Sequence, residues 1–192
     1  RIPTLAAVFA RVKALGADDV QFDIETKVFP TRPNDTVAPE EFVRIMLAVI
    51  RQAGVAERVM IQSFDWRTLQ LFQAAEPRIR TMYLTVRNQN RDNAADPAWT
   101  AGRRVSDYPS VAHMIRAAGG AIWAPNFDSI DEQAVRTAQA QGLQVMPWTV
   151  NEPADMQRLL DWKVDGIITD HPDRLRAVMR ERGLPLPAGV RR

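Results

Sequence analysis

The octapeptide VQFDIETK, Val20 to Lys27, places Asp23, Glu25 and Lys27 at alternate positions. Side chains of a strand alternate between its faces, so these three share one side with Gln21, and Val20, Phe22, Ile24 and Thr26 share the other. Two carboxylates and an ammonium on one strand face can do one of two things. At the C-terminal end of a barrel strand the carboxylate can hold a hard divalent cation while the lysine meets an anionic oxygen, the pairing that a phosphoester site needs. In a barrel core the same residues can instead form an internal ion pair.

The rest of the chain is patterned to position such a strand. Apolar runs recur as VQFDIETK, RVMIQSF, TMYLT, AIWAP, LQVMPWTV and VDGIITD, each followed by a helical pattern. Six β-then-α units in succession predict parallel strands joined by helical crossovers. Helices are expected over 2–16, Pro39 to Ala53, Asp65 to Ala75, Ser110 to Ala118, Ser129 to Gln141, Pro153 to Trp162 and Pro172 to Arg182, with prolines at starts and glycines at stops. Arg87 to Asp107, rich in Asn, Asp and Arg, breaks the rhythm and reads as a long βα loop roofing a site.

Composition narrows the function. The 192 residues are 46% hydrophobic and 25% charged, an ordinary balance for one domain spanning 1–192. Formal charge is +2, from 25 basic and 23 acidic side chains scattered singly, which argues against a nucleic-acid partner. No window approaches the roughly 18 apolar residues of a membrane span, and no signal segment opens the sequence. The absence of cysteine excludes disulfides, thiolate metal sites and cysteine nucleophiles, and leaves the compartment open. Arg1 reads as a cut or processed end.

Five segments in order, IPTL leading a helix, FDIETK, IQSFD, PWTVN and DGIITDHPD, resemble the glycerophosphodiester phosphodiesterase family over essentially the whole chain. The resemblance implies an α/β fold of the (β/α)8 TIM-barrel type. Six units are about two short of such a barrel of ~250 residues, so an incomplete barrel is expected, lacking its first two strands. It also implies that Glu25 is a ligand of a divalent metal, Ca or Mg, that Lys27 contacts phosphate, and that Trp148 lies against the alcohol portion of a small phosphodiester substrate through its flat face and indole N–H. Gln62 and Ser63 could line the pocket; Asp65 is expected to N-cap a helix and Asp170 to end the last strand. Asp23, where the family more often has Asn, could add a carboxylate near the metal or pair with Lys27.

Other family motifs have no counterpart: the His-Arg-Gly of the first strand, the Glu-x-Asp of the second and the His-Asp that follows. The two histidines, His113 and His171, match no acid–base position, so no catalytic residue is assigned. The expected activity is hydrolysis of glycerophosphodiesters to glycerol 3-phosphate and an alcohol by the complete protein, with the fragment alone inactive. Alternatives are a silent barrel relic that binds a phosphorylated polyol or a partner chain, and a related phospholipase D-like barrel. An open barrel would expose strand edges, which missing residues, a second chain or a rearranged sheet would have to cover.

Overall fold

Residues 2–187 are described by a computed structural model of the chain. Five strands, β1 (Phe22–Glu25), β2 (Val59–Ser63), β3 (Arg80–Thr85), β6 (Ile122–Pro125) and β7 (Gln144–Val145), form one parallel sheet in that order. Helices follow the strands as the apolar periodicity requires: α2 (Pro39–Ala53) after β1, α3 (Trp66–Ala75) after β2, α4 (Val111–Ala117) after β3, α5 (Glu132–Ala140) after β6 and α6 (Pro153–Asp161) after β7. Helix α1 (Leu5–Ala14) precedes β1, and α7 (Pro172–Glu181) ends the described fold. Sheet order equal to chain order, with parallel pairing throughout, is the wall of a (β/α) barrel. Among the described residues β1 pairs with β2 alone, so the wall is open on that side.

The sixth strand differs from expectation. Val164 to Asp170 runs beside the continuation of β7, with hydrogen bonds from Asp165 N to Val145 O, Ile168 N to Pro147 O and Val150 N to Ile168 O, each 2.9 Å. It forms no regular ladder. Pro147 has no N–H to give, so the neighbouring chain is held at intervals. Gly166 in this run lies where a Cβ would come within 2.6 Å of Met146 Cε, so the segment passes close against its neighbour.

Helix ends are set by side chains one residue outside several expected starts. Thr4, Asp65, Ser110 and Asp131 accept hydrogen bonds from the first turns of α1, α3, α4 and α5. Ser129 therefore lies in a short turn before α5 rather than in it. Within Arg87 to Asp107, expected as loop, β4 (Arg87–Asn88) and β5 (Arg91–Asp92) form a small antiparallel hairpin. No helix among the described residues is long and apolar enough to cross a membrane.

Two apolar layers flank the sheet. The larger packs its outer face on the helices and contains Phe9, Phe22, Val43, Leu47, Ile61, Trp66, Leu69, Phe72 and Tyr83. The smaller holds Met60, Met82, Leu84, Ile122 and Ala124, with Phe64, Met146, Trp148 and Ile168 against it. Alternate residues of successive strands supply the second cluster, so it is the lumen side.

Hydrogen bonds on the outer side fix the ends of β1 and β2. The Thr26 and Thr68 hydroxyls are 2.7 Å apart, Ser63 Oγ donates to Thr26 O at 3.0 Å, and the Asp65 N–H donates back to Ser63 Oγ at 3.0 Å. Ser63 is thus fully buried toward the helices and fully engaged. It does not line the lumen, contrary to the expectation from its place at the strand end, because Gln62 and Phe64 take the lumen side on either side of it.

Two substitutions test this packing by denaturant unfolding. Ser63→Ala should destabilise the chain by about 1–3 kcal/mol, since it strands the buried Asp65 N–H. Gly120→Ala should cost about 1–3 kcal/mol by overpacking, because its Cβ would sit 2.5 Å from Ile115 Cγ2 and 2.9 Å from Tyr83 Cε2. Unchanged midpoints would contradict the arrangement.

Candidate active site

With Thr26 held outward, alternation turns Glu25 and Lys27 toward the lumen at the C-terminal end of β1. Their charged groups meet at 3.2 Å, with the Lys27 side chain 72% and the Glu25 side chain 24% exposed. At that exposure the pair contributes on the order of 0.2–1 kcal/mol, so folding alone gives little reason to place it there. Asp23, one step lower on the same face, is open to solvent at its surface. Even so, desolvation by the surrounding protein, and after it the Glu25 charge, pushes its carboxyl up to about 6.

The strand register brings Gln62 of β2 beside Glu25. Gln62 Oε1 is buried without a hydrogen-bond partner among the described residues. Continuing the same register places Phe64 beside Lys27. The Phe64 and Trp148 rings meet edge to face, centroids 5.4 Å apart, and together wall the mouth. The Trp148 indole N–H, expected to be available to a polyol, donates instead to Ala124 O at 2.8 Å. Only the ring is left to contact a ligand.

Asp170 ends the last strand segment at the same side of the sheet. Asn151 binds it, Nδ2 donating to Asp170 Oδ2 at 3.0 Å and Oδ1 accepting from Asp170 N at 3.0 Å. Asp170 therefore braces the rim. His113 lies on α4, its Nδ1 2.8 Å from the Ser110 hydroxyl. His171 is the residue preceding α7.

Sequence reasoning missed Phe64 and Arg91. The Arg91 guanidinium lies 4.5 Å from the Phe64 ring centroid, reaching over it from the hairpin. Phe64 was legible from alternation, two residues beyond Gln62. Arg91 was not, since only the fold brings Arg87 to Asp107 over β2.

Among the described residues no group of three or more His, Cys, Asp and Glu could hold a metal. The Glu25 carboxylate and the unpartnered Gln62 Oε1 are hard oxygen donors on adjacent strands, which fit one side of a hard cation. They do not make a full coordination shell. A groove of about 450 Å³ lies elsewhere, between α1 and α2 at the N-terminal ends of β1 and β2, where Phe9, Phe22 and Arg58 line it.

Comparisons with known proteins identify the family and the fold. The glycerophosphodiester phosphodiesterase of Bacillus subtilis (strain 168) is 30% identical over 183 residues, covering 94% of this chain and 55% of that protein. That of Caldanaerobacter subterraneus subsp. tengcongensis is 27% identical over 183 residues, covering 95% and 64%. A crystal structure from Silicibacter pomeroyi DSS-3 superposes with a TM-score of 0.82 at 28% identity, over 97% of this chain and 59% of that one. The Oleispira antarctica phosphodiesterase solved with its product sn-glycerol-3-phosphate shares the fold, with a TM-score of 0.67 at 18% identity over 93% and 62%. The chain thus spans about half to two thirds of the length of these relatives. The model of the Glycerophosphoryl diester phosphodiesterase family matches residues 1–174, and the chain belongs to that family.

Proposed function

We propose that the complete protein is a divalent-metal-dependent phosphoric diester hydrolase that cleaves glycerophosphodiesters to glycerol 3-phosphate and an alcohol. One observation carries the reading: a Glu25–Lys27 pair, 3.2 Å apart and with the lysine exposed, stands at the lumen mouth rather than in the packed core. It stands beside an aromatic wall, in a chain of this family.

Each residue has a distinct part. Glu25, with Gln62 Oε1 beside it, would hold one side of a Ca or Mg ion, and further polypeptide would complete the shell. Such a cation, when bound, supplies Lewis-acid stabilisation of charge on the phosphoryl oxygens. Lys27 would meet a non-bridging phosphate oxygen as a flexible point charge. The Trp148 ring would lie against the alcohol portion. Further polypeptide, from this chain or another, would also cover the β1 edge.

The same set explains why binding is expected to outlast chemistry. Neither His113 nor His171 occupies a family acid–base position, and general acid–base help is worth roughly 10²–10⁴-fold. The 192-residue chain by itself should therefore bind a phosphorylated polyol and hydrolyse glycerophosphodiesters at most about 10⁻² as fast as the complete protein. Robust metal-dependent release of glycerol 3-phosphate by the isolated chain would contradict this.

Metal titrations of activity in the complete protein, set beside thermal melts, separate a metal site from an ion pair. Glu25→Gln removes the charge a hard cation needs while keeping the shape, so activity should fall at least about 10²-fold, with partial recovery at raised metal. Lys27→Met should lower kcat and leave the metal midpoint in place. If both variants instead lose melting temperature and retain activity, the two residues are a structural pair.

A further inference from the structure

Arg91 belongs to no ion pair with a carboxylate among the described residues, and the hairpin backbone that carries it is held firmly. Its hairpin is fastened at the base by Asn93, which is buried. Asn93 Oδ1 accepts from Val86 N at 2.8 Å and its Nδ2 donates to Leu84 O at 3.2 Å. At the tip, Asn88 Oδ1 accepts from both Asn90 N and Arg91 N, at 3.0 and 2.9 Å. The Arg87 side chain closes the hairpin on Asp92 at 2.9 Å, and the Arg87 N–H donates to Ser129 Oγ at 3.0 Å. These bonds fix the backbone that carries an exposed guanidinium over the Phe64 ring.

The position of that guanidinium has a consequence for ligands. Lys27 stands beside Phe64 along the strand register, on the lumen wall. Arg91 comes from a loop beyond the strand ends, and its cation already occupies a face of Phe64. A ligand whose phosphate sits at Glu25 and Lys27 must extend its alcohol portion outward past Phe64 and Trp148. There it meets the Arg91 guanidinium, carried on a fixed backbone, and a ring face no longer open to a second cation.

We propose that Arg91 is a specificity-determining residue that selects glycerophosphodiesters whose alcohol portion carries its own carboxylate or other anionic group. This rests on the reading of the mouth as a glycerophosphodiester site. A guanidinium offers a planar pair of N–H donors, which matches a carboxylate.

Glycerophosphoserine and glycerophosphoethanolamine differ by one carboxylate and form the test. Their dissociation constants would be measured by calorimetry on the complete protein in EDTA, which prevents turnover, and their Michaelis constants would be compared with Ca present. Binding of the serine ester should be about tenfold tighter, the lower end for one charge-assisted hydrogen bond. In Arg91→Met that ratio should fall to about one through weakening of the serine ester alone. A ratio that survives in Arg91→Met, an equal loss for both esters, or no saturation by either in both conditions would overturn the proposal. Hydrolysis of glycerophosphoethanolamine by the wild-type protein reads the phosphodiesterase assignment separately, because it involves no second anion.

Discussion

The site depends on the outward anchoring of Thr26. In a strand of period two, fixing one residue fixes the orientation of its neighbours, and a slip of one position would send Glu25 and Lys27 into the apolar helix layer. Three things prevent the slip: the hydroxyl contact with Thr68, the Ser63 bond to the Thr26 carbonyl, and Phe22 packed edge to face on Phe9 at 4.8 Å. Thr68 Oγ1 also donates to Asp65 O at 2.9 Å, which ties β1 to the first turn of α3. Scaffold bonds on one face therefore set the chemistry on the other.

Charge is graded along the lumen as a consequence. Asp23 and Glu25 make its middle acidic, and desolvation, with the Glu25 charge after it, raises the Asp23 carboxyl. Lys27 and then Arg91 make its mouth basic. An anion approaching from the C-terminal end meets cations first, and a divalent cation is favoured deeper, beside the carboxylates. Met60, Met82, Leu84 and Ile122 line the neighbouring strands beside them as an apolar wall.

Much of this was legible in the sequence, because it follows from periodicity. The strand faces of VQFDIETK, the parallel βα order and the Glu25–Lys27 partnership come from a repeat of two nested in a repeat of βα units. Elements fixed by tertiary contact were not legible. Ser63 was expected at the lumen because it ends a strand, but parity gives that face to Gln62 and Phe64. The Trp148 indole N–H was expected to be free, and a carbonyl of the neighbouring strand takes it. VDGIITD reads as a regular strand until Pro147 is seen opposite it. The hairpin escaped notice because two-residue strands carry no periodicity, and Asn93 acts through buried bonds to residues that only the fold brings near.

A crystal structure of the complete protein with glycerol 3-phosphate tests directly whether the Glu25–Lys27 mouth holds the ligand. A phosphate oxygen is expected within hydrogen-bond reach of Lys27 Nζ, with the ligand lying between Glu25 and the Phe64–Trp148 wall. Product bound elsewhere, as in the groove between α1 and α2, with Glu25 and Lys27 still paired and unvisited, would contradict it.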